Sequence, residues 1–179
     1  SLRTSLSFDI NTEDNFKTLI VSSTGPGEGK TTTISNLAIT YANLGKKVLL
    51  IDTDLRRPVI HKVFDLENNK IGLTSYLSGN EKDLNNIVFK TEVKNLDVIP
   101  SGIIPPNPSE LLSSKKMKDT IKELSEKWDI VLLDSPPLVA VTDASILSKF
   151  TDKLVIVVMP GKTDRQAFSH SIEYLRNID

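Results

Sequence analysis

Residues 24–31, TGPGEGKT, constrain this chain more than any other stretch. They lie between the apolar run TLIV and the helix-forming segment TTTISNLAITYANLG. A strand that ends in a Gly-rich turn and feeds a helix points several backbone N–H groups, and the positive end of the helix dipole, at one spot suited to a polyphosphate. Gly25, Gly27 and Gly29 let the backbone bend close to such a ligand, where a Cβ would intrude. Lys30 would then reach the β- and γ-phosphates, and the Thr31 hydroxyl would ligate Mg²⁺. The pattern G-x-x-x-x-G-K-S/T is met except in its first slot, which is Thr24. A plain Gly/Pro turn before a helix is the competing reading, and the strand-loop-helix context favours the phosphate loop.

That loop requires a parallel-sheet frame around it, and the rest of the chain offers one. The runs VLLI, IVLL and LVIVV are far shorter than the roughly 20 residues of a membrane helix and read as strands buried on both faces. With 179 residues, 39% apolar and 25% charged, the chain suits one α/β domain spanning 1–179. The expected fold is a doubly wound, mainly parallel sheet flanked by helices, of the P-loop NTPase type. No stretch has the pattern of a signal peptide or a transmembrane segment. Lys and Arg number 22 against 23 Asp and Glu, a net charge of -1, which argues against nucleic acid as a partner. The absence of cysteine excludes disulfides and thiolate chemistry.

Two more acidic motifs lie at the ends of these apolar runs. Residues 47–55 read KVLLIDTDL, placing Asp52 and Asp54 at the C-terminal end of a strand. Residues two apart on an extended segment point the same way, so both side chains would face the space where open α/β sheets bind ligands. Two adjacent carboxylates need a cation between them; with Mg²⁺ and ATP present, one acid would be left to orient or deprotonate an attacking hydroxyl. A solvated acidic pair opening a loop is the alternative. Arg56 and Arg57 follow, and either would neutralise Asp54, hold a phosphate or form a surface salt bridge. Residues 130–133 form the next buried strand, and Asp134 closes it.

Elsewhere the signals are structural. Residues 17–23 are the first strand; Ile34, Leu37, Ala38 and Tyr41 face the sheet from the following helix, which Gly45 ends. Short helices are expected at 61–69 and in IGLTSYLSGN, ending at Gly79, and a strand at 96–100. His61 reads as a partly exposed, hydrogen-bonded structural residue. Ser109 is expected to cap a helix after the Pro-rich loop, with Leu111, Leu112, Met117, Ile121, Leu124 and Trp128 as a core stripe. Asp143 reads as a helix cap, residues 154–161 as a strand, 165–177 as a last helix, and 1–8 as the end of another.

Taken together, TGPGEGKT, IDTDLRRP, IVLLDSPP and PSGIIPPNPSELLSS resemble the Walker A, Walker A′ and Walker B motifs and a further segment of the bacterial tyrosine kinases of capsule and exopolysaccharide synthesis. The resemblance implies an ATP-dependent protein tyrosine kinase. It implies that Lys30 and the loop amides from Gly25 through Gly27, Glu28, Gly29, Thr31 and Thr32 hold ATP. It implies that Thr31, Asp54 and Asp134 arrange Mg²⁺ and its waters, and that Asp52 positions the tyrosine hydroxyl or accepts its proton. No H-R-D or D-F-G signature of the eukaryotic kinases is found.

The same resemblance implies a tyrosine-rich acceptor tail that this chain does not contain: Tyr41, Tyr76 and Tyr174 are scattered. It likewise places only Arg3 of an E-x-x-R-x-x-R self-association motif inside the chain, so the domain reads as clipped at both ends. Expected partners are the tyrosine tails of its own kind, a membrane activator or polysaccharide co-polymerase domain, fused or separate, and further copies of the parent protein. The site would be cytoplasmic, at the inner face of the membrane. Two other functions compete. A switch ATPase of the cell-division or partition type would carry a lysine in the second loop slot, which is Gly25. A polysaccharide regulator without transfer activity would not need Lys30, Thr31, Asp52, Asp54 and Asp134 together.

Overall fold

The computed structural model describes residues 16–23, 29–66, 70–137 and 143–158, the first three of the last span by backbone alone. The expected elements at 1–8 and 165–177, loop residues Gly25, Gly27 and Glu28, and the capping side chain of Asp143 lie outside what is described. Described in chain order are β1 (Thr18–Ser23), α1 (Lys30–Asn43), β2 (Val48–Asp52), α2 (Ile60–Val63), α3 (Leu73–Leu77), a 3-10 turn (Leu84–Ile87), β3 (Phe89–Lys90), β4 (Leu96–Ile99), α4 (Pro108–Ser113), α5 (Lys115–Lys127), β5 (Ile130–Asp134), α6 (Asp143–Ser148) and β6 (Lys153–Val157).

The strands form one sheet in the order β3-β4-β2-β5-β1-β6. Every pairing is parallel except β3 with β4, which is antiparallel. β3 is not legible in the sequence, because a two-residue edge strand has no periodicity of its own. Alternation along the strands divides the core. Leu49, Ile51, Val131 and Leu133 face a layer with Leu73, Leu112, Ile121 and Leu124. The intervening positions, Val48, Leu50, Ile130 and Leu132, face Ile34, Ala38 and Ala42 of α1. Both faces are therefore covered, as a doubly wound sheet requires, and each fully buried Leu or Ile contributes about 1.5–3 kcal/mol.

Several local expectations are corrected. β2 stops at Asp52, so Asp54 lies in the loop beyond it and does not share a strand face with Asp52. Gly45 does end α1 as expected, following Leu44 with φ 88° in the left-handed conformation that lets the chain leave the helix. Of the helix expected at 61–69 the described residues form a single turn, α2, and residues 67–69 lie outside what is described. α4 is capped at Asn107 with Pro108 in its first turn, so Ser109 sits inside the helix and does not cap it. The stripe from Leu111 to Trp128 is carried by two helices, because extended Ser114 breaks them and its hydroxyl accepts the N–H of Met117 at 3.1 Å. Leu112, Met117, Ile121, Leu124 and Trp128 are nevertheless buried in one core.

Candidate active site

The central strands bring the acids together. β2 and β5 are neighbours in parallel register with Asp52 opposite Asp134, and β1 lies on the other side of β5. All three strands end at the same edge, where α1 begins. Gly29 precedes α1 with φ 74°, a left-handed conformation that glycine adopts without a Cβ clash. The first two residues of α1 turn onto the end of β5: the Lys30 ammonium pairs with Oδ1 of Asp134, and the Thr31 hydroxyl donates to Oδ2 at 3.3 Å. Thr32 is exposed on the first turn of the same helix.

The loop after β2 is built by its own acids. Oδ1 of Asp52 accepts the N–H of Asp54 at 3.1 Å, and Oδ2 accepts those of Val59 and Ile60 at 2.9 and 3.0 Å. Asp54 in turn accepts the N–H of Arg57 at 3.1 Å. Asp52 is thus fully buried and turned onto the loop backbone, in contrast to the expected pair facing together into the ligand space beyond the strand ends. Among the described residues no ion pair joins the Arg57 guanidinium to Asp54; the two meet through backbone. His61 is half-buried, and among the described residues its ring makes no hydrogen bond, contrary to expectation.

Burial sets the protonation of this cluster. Desolvation, followed by the neighbouring Asp134 charge, pushes Asp52 up to about 7 despite the N–H groups of Ile60 and Val59 that favour its ionised form. Burial also raises Asp134, opposed by the ammonium of Lys30. One lysine therefore serves a crowded acidic centre. Sequence reasoning missed the residues that hold the frame. Thr53 donates both its N–H and its hydroxyl to the Asp134 carbonyl at 2.8 Å, Ser135 Oγ donates to the Val21 carbonyl at 2.9 Å, and Ser22 Oγ to that of Pro136 at 2.8 Å. For Thr53 and Ser135 the available signal was a small hydroxyl residue beside an acid; Ser22 carried none.

The donor set suits Mg²⁺ with a bound polyphosphate. Thr31 and Asp134 offer adjacent hydroxyl and carboxylate oxygens, and Asp54 lies close enough for its charge to raise Asp134. Among the described residues no group of three or more acidic, His or Cys side chains forms a complete metal cage. Mg²⁺ does not ask for one, since it is held by one or two carboxylates together with phosphates and water.

Comparison with known proteins agrees with this geometry. A family model described as an AAA domain (AAA_31) matches residues 16–179. The tyrosine-protein kinase YwqD of Bacillus subtilis is 45% identical over 98% of this chain and 73% of its own length. The tyrosine-protein kinase ptk of Acinetobacter johnsonii is 40% identical over 91% of this chain, which spans 22% of that protein. The solved kinase domain of the Escherichia coli tyrosine kinase ETK superposes with a TM-score of 0.88 at 34% identity, over 93% of this chain and 64% of that one. A P-loop helix bearing lysine on a strand-end aspartate, in a chain so much of which aligns with these enzymes, belongs to the family of bacterial tyrosine-protein kinases.

Proposed function

We infer that this domain transfers the γ-phosphoryl group of ATP to a tyrosine hydroxyl. The observation that carries the reading is the register of Asp52 with Asp134 beside the Lys30 and Thr31 end of α1. Lys30, the amides of the loop at 25–29 and those of Thr31 and Thr32 hold the phosphates. Thr31, Asp134 and Asp54 would hold Mg²⁺, which when bound would offset the charge of the phosphates. Asp52 orients the tyrosine hydroxyl and takes its proton as the phenolic oxygen bonds to the γ-phosphorus and the bond to ADP breaks. Three backbone donors use three of the roughly four acceptor sites of a carboxylate, leaving one on Oδ1 for that hydroxyl. A carboxyl raised to about 7 is matched to proton transfer near neutrality.

The acceptors are tyrosine-rich tails of the parent protein, phosphorylated between copies, and the biological setting is capsule or exopolysaccharide synthesis at the inner face of the membrane. The 22% coverage of ptk supports an activating domain fused in some relatives and separate in others. Among the described residues no helix is long and apolar enough to cross a membrane. The test supplies Mg-ATP and the tyrosine tail of a Lys30→Met parent, then follows phosphotyrosine by mass spectrometry beside free phosphate. Phosphotyrosine that disappears with Asp52→Asn supports the assignment; phosphate release without phosphotyrosine, with the activating partner added, overturns it in favour of a switch ATPase.

A further inference from the structure

The loop that follows Asp52 and carries Asp54 also lines a groove of about 570 Å³. Its lining includes Arg56, Arg57, Lys62 and Lys70 on one side and Ile103 and Ile104 on the other. Among the described residues four cations and no carboxylate line it, in a chain whose overall charge is -1. Ile103 and Ile104 are 65% and 53% exposed, an unusual placement for two consecutive isoleucines. Among the described residues the groove therefore combines a basic segment at 56–62 with an apolar one at 103–104.

Both walls are held by buried polar contacts. On the basic side Asp54 fixes the backbone of Arg57, and Asp52 fixes those of Val59 and Ile60. On the apolar side the Thr74 hydroxyl holds the Ile103 carbonyl at 2.8 Å, while the N–H groups of Leu73 and Thr74 bond to the carbonyls of Pro100 and Ser101 at 2.8 and 2.9 Å. A surface fixed in this way loses little entropy when something settles on it. What settles there also lies within a few residues of the acids of the site, on the same loop.

We propose that this groove receives an acidic segment of the acceptor polypeptide, with carboxylates against Arg57 and Lys62 and an apolar side chain against Ile103 and Ile104, and so selects which tyrosines are phosphorylated. This rests on the kinase reading above for its role, though not for the binding itself. The groove's charge favours an anionic partner, and its concave shape with an apolar wall suits an extended peptide more than a flat lipid surface. Arg57 and Lys62 are positioning residues here; they do not touch the reacting atoms.

The test is fluorescence anisotropy with a labelled peptide in which one phenylalanine is flanked by glutamates and a leucine, against a control with lysines for the glutamates. The acidic peptide is expected to bind at least about tenfold more tightly, and to weaken as salt rises. Arg57→Glu with Lys62→Glu is expected to reverse the preference, and Ile103→Ser with Ile104→Ser to weaken the acidic peptide several-fold. These are exposed side chains, and the Lys62→Glu single variant, with an unchanged thermal midpoint, guards against misfolding. Equal binding of the two peptides, or unchanged affinity in the variants, overturns the proposal. So does charge-dependent sedimentation with phosphatidylglycerol vesicles when neither peptide binds. Phosphate transfer to the tyrosine forms of both peptides separates the two readings. Transfer without charge preference retains the kinase and refutes the groove; binding with the expected preference but no transfer retains the groove and refutes the kinase.

Discussion

Asp52→Asn offers the sharpest check on the electrostatics of the site. In the unfolded chain the carboxyl titrates at its ordinary value of 3.8; in the fold it is raised to about 7. Between these values the native state holds a proton that the unfolded chain has released, so stability falls as pH rises through this window and levels off above about 7. At about 1.4 kcal/mol per pKa unit, the full penalty for ionised Asp52 is about 4 kcal/mol, of which about 3 accrues between pH 5 and pH 8. Asparagine removes that charge, but its single acceptor oxygen cannot serve N–H groups on both sides, and the amide left facing the Asp54 N–H costs about 1–3 kcal/mol. Relative to the native protein, the variant is therefore expected to be less stable near pH 5 and equal or more stable near pH 8. Urea unfolding without nucleotide at both pH values measures the difference directly. A stability difference that stays constant from pH 5 to pH 8 would refute the argument that burial and Asp134 raise Asp52.

Four further outcomes follow from the same geometry. Asp52→Asn is expected to lower phosphotyrosine formation by about 10²–10⁴ with ATP affinity held within a few-fold; initial rates and nucleotide titration check both. Lys30→Met abolishes transfer and leaves Asp134 buried without its ammonium, at about 3–5 kcal/mol near pH 8 and less as falling pH protonates Asp134. Adding Asp134→Asn is expected to recover most of that stability but none of the transfer, as chemical denaturation beside a kinase assay would report. Gly72→Ala drives a Cβ into the Pro100 carbonyl and the Gly102 N–H, backbone that cannot step aside, and is expected to cost about 2–4 kcal/mol in thermal unfolding.

What the sequence determined by itself is local. A buried apolar run, a glycine-rich stretch and a lysine-led helix follow one another in the chain, so the order of strand and helix around that stretch was legible without a fold. The same holds for an aspartate at the end of each of two apolar strands, since strand ends are marked by the change from apolar to polar residues. Where the reading failed, the cause was a short-range competition invisible in periodicity: the chain leaves β2 at Asp52 because that carboxylate captures the N–H groups of Asp54, Val59 and Ile60, and Ser114 interrupts a helical stripe by capping the next helix. Only the tertiary structure decided that β2 and β5, about 80 residues apart, lie side by side with Asp52 opposite Asp134. That pairing creates the dry, like-charged centre that raises Asp52, while β1 beside β5 gives Lys30 its partner and β4 beside β2 brings Ile103 into one groove with Lys62. Sheet order is set by which faces bury together over long loops, and proximity of charge is a consequence of that order, so neither is written in any window of the chain.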